Sequence, residues 1–515
     1  VSQQGSPRPV RTTASGRPPA PRRRPSSRAA SPGAREAARA AARRRLYRRR
    51  RMTVLAALLV LLLGGYATLD ANDVVPGVLT RTPPWPDAEP FPEVAVAELT
   101  AAPDRVPSMS GEAPVPSTEE LAALASSLVS SGAVGPAPGV LVTDVLTGED
   151  LYGARAAESY VPASSLKLLT GLAVLASYGD QHRFVTSVVD GGNGDGGDVV
   201  TLVAGGDLTL AAEEGDPSSV VGHAGLGDLA AEVATELAAQ GRTEVQVTLD
   251  DTLFTGPELA PRWGPVDLSG GWAMPMAPIA VDIGRRDGTS VRSSDAALDA
   301  AEAFADALAG EGISVRGDVQ RAAAPDGASE LGAVESAPLR DLVAFTLQQS
   351  ENVLSEALGR MTAVATGHES SFAGAGEAVL AVLADLGLDT SGNSLSDTSG
   401  LSSESVVTPR LLTDAVRLAA DGSHPELTSL LAAVPVAGLE GTLNSRLTDT
   451  AATGVVRAKT GTLPQVVALT GMVTTEDGRL LAFTVLANDF DRGSAYLARI
   501  AVDEWISSVA ECGCS

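Results

Sequence analysis

Lysine is the residue on which the chemistry of this sequence turns, because of 38 Lys and Arg residues only Lys167 and Lys459 are lysines. Arginine keeps its proton under all protein conditions, whereas a desolvated lysine can lose one and act as a base. Ser164 lies three residues before Lys167, a spacing that puts the two side chains on one face of a helix. The run from Ala163 to Tyr178 is apolar almost all round, with Leu166, Leu168, Leu169, Leu172, Val174 and Leu175, and predicts a buried central helix. Pro162 marks its start and places Ser164 in the first turn, where free N–H groups and the helix dipole favour developing negative charge. Burial disfavours the ammonium form, so Lys167 is a candidate base for the Ser164 proton and Ser164 a candidate nucleophile.

The second lysine sits in Lys459-Thr460-Gly461-Thr462, at the end of a segment with strand character. Its ammonium and the two threonine hydroxyls suit a terminal carboxylate, and Gly461 would let a substrate backbone approach the strand edge. The backbone N–H groups of Thr462 and Ser164 could together form an oxyanion hole. Between the two lysines, Ser350-Glu351-Asn352 offers on a predicted helix a hydroxyl for proton relay and an amide for holding substrate.

The order S-x-x-K, S-x-N, K-T-G resembles that of the penicillin-binding proteins and serine β-lactamases. Further segments narrow the resemblance, namely 202–210, Asp251-Thr252-Leu253-Phe254, Asp397-Thr398-Ser399-Gly400-Leu401-Ser402 and 435–443. Over residues 118–510 the chain is similar to the D-alanyl-D-alanine carboxypeptidase/endopeptidase family that includes penicillin-binding protein 4. The resemblance implies an α/β (α+β) catalytic domain of the transpeptidase type, interrupted between S-x-x-K and S-x-N. It implies Ser164 as nucleophile, Lys167 as base, Ser350 and Asn352 in proton relay and positioning, and Lys459, Thr460, Gly461 and Thr462 around the substrate carboxylate. The implied reaction is penicillin-sensitive removal of the terminal D-Ala of peptidoglycan D-Ala-D-Ala stem peptides, with β-lactams as inhibitors and no cofactor. The alternatives are a D,D-endopeptidase cleaving cross-links, a β-lactamase, and an inactive wall-binding scaffold. The interval from S-x-x-K to S-x-N is shorter than in larger members, which implies a reduced or missing inserted domain.

The elements that must position these residues read as follows. Ser117-Thr118-Glu119-Glu120 has the capping-box pattern and opens a helix through about Ser131. A hairpin at Thr147-Gly148 joins 139–144 to 149–152. Residues 183–335 mix the strands 199–203 and 244–249 with the helix 296–309 and are expected to form a mainly β insert between catalytic parts 117–182 and 336–515. Helices are expected at 338–362, 371–386 and 494–509, a strand at 453–459 and a hairpin at Asp477-Gly478.

Charge divides the rest. The chain carries −25 overall, yet residues 1–51 hold sixteen Arg against Glu36 alone, a local +15 that leaves −40 for the remainder. The acidic body repels nucleic acid, so no nucleic-acid partner is expected, while the Pro- and Arg-rich head is expected to be a disordered cytoplasmic tail. Met52 to Leu69 lacks charge over eighteen residues, about 27 Å as a helix, enough for a single membrane anchor. Arginines before it and acidic sequence after it place the N-terminus inside and the body outside the cytoplasm, a cleaved signal peptide being the alternative. Ten prolines within 70–116 make this segment a stalk. Cys512 and Cys514 are the only cysteines, which excludes a disulfide framework, and His182, His223, His368 and His424 form no ligand pair, so no metal is expected. The Asp190–Asp198 run lacks calcium-loop spacing and reads as a hairpin turn, and the four tryptophans read as ordinary core or rim residues.

Overall fold

Alternating apolar positions decide how the body layers. The structure, a computed structural model, describes residues 32–72, 74–75, 112–194, 197–286 and 288–513. The expected tail before residue 32 and the stalk residues 76–111 lie outside the described residues. In chain order the strands are β1 (Gly139–Asp144), β2 (Asp150–Ala154), β3 (Val185–Gly194), β4 (Gly197–Val203), β5 (Glu244–Asp250), β6 (Ser314–Val315), β7 (Gln320–Arg321), β8 (Glu330–Glu335), β9 (Val456–Leu463), β10 (Val466–Thr474) and β11 (Leu480–Asn488).

The first sheet is five-stranded and antiparallel, in the order β2-β1-β11-β10-β9. Side chains of a strand alternate between faces. On β10 and β11, Val467, Leu469, Val473, Leu481, Phe483 and Val485 join a core with Leu121, Leu128, Val502 and Ile506 of the helices Thr118–Ser130 and Ala495–Ala510. The intervening Ala468, Met472, Ala482 and Leu486 join the opposite core, with Leu168, Leu169 and Leu172 of the helix Lys167–Tyr178 and Leu411 and Leu412 of the helix Pro409–Ala420. The sheet is therefore the middle of three layers, which is why its strands are apolar on both faces. Ser117 caps the helix Thr118–Ser130 by accepting from Glu120 N, the N-cap half of the expected capping box. Asp144 of β1 is buried and is paired by Arg479, the residue before β11.

The second sheet, order β6-β5-β4-β3-β8 with β7 also on β5, is built within residues 185–335. The β3–β4 hairpin carries the Asp190–Asp198 run, with Gly194 opposite Gly197. This region holds more helix than a mainly β insert conveys. β4, β5 and β6 are mutually parallel, and parallel neighbours need long crossovers. The helices Leu226–Ala239 and Ala296–Gly310 supply them and pack on the sheet through Leu229, Val233, Leu237, Phe304 and Leu308.

In the N-terminal unit, which ends at Asp104, the helix Pro32–Ala71 is continuous through the basic stretch and the apolar one. Residues 32–51 are thus helical where disorder was expected, because Ala and Arg, which dominate there, are strong helix formers. Val54–Ala71 has a mean hydropathy of 2.0 and is long and apolar enough to cross a membrane. At the other terminus Cys512 is in a disulfide, a single link and not a framework.

Candidate active site

The nucleophile candidate stands on a tighter turn than expected. Ala163–Leu166 is a 3-10 turn that feeds the α-helix at Lys167, and Ala163 is held at φ 45°, a strained value for a residue with a Cβ. Two glycines make room for this turn. A Cβ on Gly400 would lie 1.9 Å from the Ala163 oxygen, and one on Gly461 would lie 2.8 Å from the Pro162 oxygen and 2.9 Å from the Ala163 Cβ. Gly461 therefore admits the Ser164 turn against one face of β9.

Lys167 Nζ is fully buried and meets three oxygens: Ser164 Oγ at 3.0 Å, Asn352 Oδ1 at 2.7 Å and the Ser399 carbonyl at 2.8 Å. The amide and the carbonyl can only accept. A neutral amine gives them its two N–H bonds and turns its lone pair to the third neighbour, the Ser164 hydroxyl. Burial pushes the Lys167 ammonium down to about 8 from 10.5, against the opposing pull of Asp397, Glu356 and Glu351.

The Ser350–Asn352 element is a junction between two helices and not the interior of one. Leu339–Gln349 ends with Ser350 at φ 55°, and Asn352–Thr366 begins after Glu351, whose carboxylate caps Val353 N. The left-handed Ser350 turns its hydroxyl to Lys459 Nζ at 2.9 Å, and Asn352 starts the next helix beside Lys167.

Lys459, Thr460, Gly461 and Thr462 lie within β9, an edge strand whose start is bridged by Val436. Lys459 Nζ is buried, donating to Ser350 Oγ and the Thr460 carbonyl, and burial with Lys167 and Arg446 nearby holds it well below the usual ammonium range. Thr460 Oγ1 donates to Thr442 Oγ1 at 2.9 Å, and Thr462 is exposed. Ser164, Ser350, Asn352, Thr460 and Thr462 all line one open cleft of about 480 Å³. Lys167 and Lys459 lie beneath it.

Sequence reasoning missed the other half of this site. Gly270, Gly271, Trp272 and Arg292, from the segment between β5 and β6, form the facing wall, with Trp272 58% exposed at the rim. Asn352 Nδ2 donates to the Trp272 carbonyl. Behind Lys167, buried Glu356 accepts from Thr398 N, Thr398 Oγ1 and Ser399 N, and buried Asp397 from Ser402 N and Ser405 Oγ. These bonds clamp the 397–402 loop that supplies the Ser399 carbonyl. Desolvation and the Asp397 charge push the Glu356 carboxyl up to about 7. The run 397–402 carries no other signal than its family likeness; a buried Glu about one turn into an apolar helix is the available signal.

Comparison with known proteins follows the same lines. The D-Ala-D-Ala carboxypeptidase 3 (S13) family profile matches residues 121–287 and 283–509. Carboxypeptidase Rv3627c of Mycobacterium tuberculosis is 36% identical over 441 residues, covering 84% of this chain and 90% of that protein. Carboxypeptidase DacB of Mycolicibacterium smegmatis is 36% identical over 423 residues, covering 81% and 89%. Penicillin-binding protein 4 of Haemophilus influenzae shares the fold, with a TM-score of 0.63 at 20% identity over 76% of this chain and 99% of that one. An α/β fold of this type, reached by a chain that the family profile matches over most of its length, makes the protein a hydrolase of the D-Ala-D-Ala carboxypeptidase 3 (S13) family.

Proposed function

We propose that this carboxypeptidase works through an ester on Ser164 formed with the penultimate D-Ala of a peptidoglycan stem peptide. The observation that carries the reading is the Lys167 amine, 3.0 Å from Ser164 Oγ with both N–H bonds directed to oxygens that cannot donate. Ser164 Oγ adds to the carbonyl carbon as its proton passes to Lys167. The oxyanion lies between the backbone N–H groups of Ser164 and Thr462. When the C–N bond breaks, that proton returns to the departing D-Ala amine through Ser350, whose Oγ accepts from Lys459 and so keeps its own O–H free for the cleft. Water then adds to the ester, and Ser164 leaves with a proton.

Thr460 and Thr462 receive the terminal carboxylate, with Lys459 beneath them. Two ammonium groups in one buried site repel, and an arriving carboxylate favours the charge on Lys459, which leaves Lys167 neutral as a base must be. Gly461 serves by its lack of a side chain. A β-lactam presents a carboxylate and a reactive amide in the same relation and acts as an inhibitor.

The helix 32–71 supports a single-pass anchor, N-terminus inside, with residues 117–182 and 336–515 as catalytic parts and 183–335 as an insert outside the cytoplasm. No nucleic-acid partner belongs to this reading. Release of D-Ala from a diacylated D-Ala-D-Ala tripeptide, measured beside hydrolysis of a chromogenic cephalosporin, tests the reaction. The expected outcome is steady D-Ala release with one slow cephalosporin turnover; rapid cephalosporin turnover without D-Ala would make the protein a β-lactamase.

A further inference from the structure

Asn352 meets Lys167 through Oδ1, which an amide does in only one of its two orientations. The Trp272 carbonyl selects it, accepting from Asn352 Nδ2 at 2.9 Å. With the amide reversed, two oxygens would face each other and the NH2 group would face the Lys167 amine. The Trp272 backbone is itself anchored. Arg292, its side chain 6% exposed, donates from Nε to the Gly271 oxygen at 2.9 Å, from Nη1 to the Ile283 oxygen, and from Nη2 to both Glu351 oxygens at 2.7 and 2.9 Å. Glu351, the middle residue of the S-x-N element, also takes Arg285 Nη2 at 2.7 Å. The turn that delivers Arg285 holds Asp282 at φ 45° and Ile283 at φ 53°. Two consecutive non-glycine residues in that region are strained and persist only where surrounding contacts over-determine them.

We propose that Arg292 is a positioning residue for acyl transfer: by joining Glu351 to the Gly271–Trp272 backbone it fixes Asn352 with Oδ1 toward Lys167. The inference rests on Lys167 being the base. Only a planar guanidinium can reach a carboxylate and two carbonyls at once; a lysine cannot. Arg292 also acts on charge. Lys167 is faced by Asp397, Glu356, Glu351 and Lys459, and Glu351 is partly neutralised by its two arginines. Losing one exposes more negative charge to Lys167 and favours its ammonium form.

The test compares acylation of the full chain by a fluorescent penicillin across pH, per titratable site, in Arg292→Gln, Asn352→Ala, the double variant and Lys167→Arg. Arg292→Gln should slow acylation about 10- to 100-fold, as for a misplaced reacting group, and shift the rise in rate to higher pH. In the Asn352→Ala background the same change should cost less than about twofold, because the two act as one unit. Arg292→Lys should restore the position of the rise and leave the plateau low. If Arg292→Gln does not fold, Glu351→Gln is read in the same cycle, with the rise moving to lower pH because a negative charge is removed. An unchanged pH profile, or a full cost of Arg292→Gln without Asn352, overturns the proposal. A Lys167→Arg enzyme that acylates normally removes the base itself, a separate failure visible in its own arm.

Discussion

Raising the pH should switch on acylation as Lys167 loses its proton. At pH 7 a lysine of ordinary value 10.5 is neutral in about 0.03% of molecules, and one held at about 8 in about 9%, so burial enlarges the competent fraction about 300-fold. In free energy this is about 3 kcal/mol, contributed by desolvation of the fully buried Nζ and reduced by Asp397, Glu356 and Glu351. The sign follows from which form is active. The neutral amine takes the Ser164 proton, so the second-order rate constant rises with pH about tenfold per unit well below the Lys167 value and levels above about 8. The assay is the rate of covalent labelling by a fluorescent penicillin, with protein fluorescence recorded to verify that the fold holds over the range. Lys167→Arg keeps the positive charge, cannot lose it, and should acylate at least about a hundredfold more slowly with no such rise. A rate flat from about pH 6 to 9 would refute the reasoning, since the free-enzyme profile reports the essential base.

Gly461→Ala should slow acylation about 10- to 100-fold while leaving the protein folded, because the new Cβ, 2.8 Å from the Pro162 oxygen, displaces the Ser164 turn; circular dichroism beside penicillin labelling checks it, and an unaltered rate would show that the turn has slack. For the anchor, protease added to intact spheroplasts should remove the body and leave a small membrane-bound N-terminal piece. A fully protected chain would reverse the orientation, and a mature protein beginning after Leu69 would mean that the segment is cleaved.

Much of this was legible because the chemistry is local. Ser164 and Lys167 are neighbours by helix periodicity, and the scarcity of lysine marks both Lys167 and Lys459. The N-cap at Ser117 and the hairpins at Gly148 and Gly478 follow from short-range rules that packing did not override. What escaped is non-local. The helix break at Ser350 depends on Glu351 finding Arg285 and Arg292 some sixty residues earlier, 66 and 59 positions away, and no periodicity announces it. Trp272 reads as a rim residue until the fold brings its carbonyl to Asn352. The helix Leu226–Ala239 has regular apolar spacing, but the need for it comes from parallel β4 and β5, whose pairing is not visible in one sequence. That the Pro162–Ala163 turn needs the bare Cα of Gly461 on one face of β9 is likewise not visible in the sequence.

The most direct measurement is to label the full chain with penicillin, digest it, and locate the modified residue by mass spectrometry. The expected result is one adduct, on Ser164, absent from Ser164→Ala and formed slowly in Lys167→Arg. An adduct on any other residue, or labelling that persists in Ser164→Ala, would contradict the assignment of Ser164 and Lys167 as nucleophile and base.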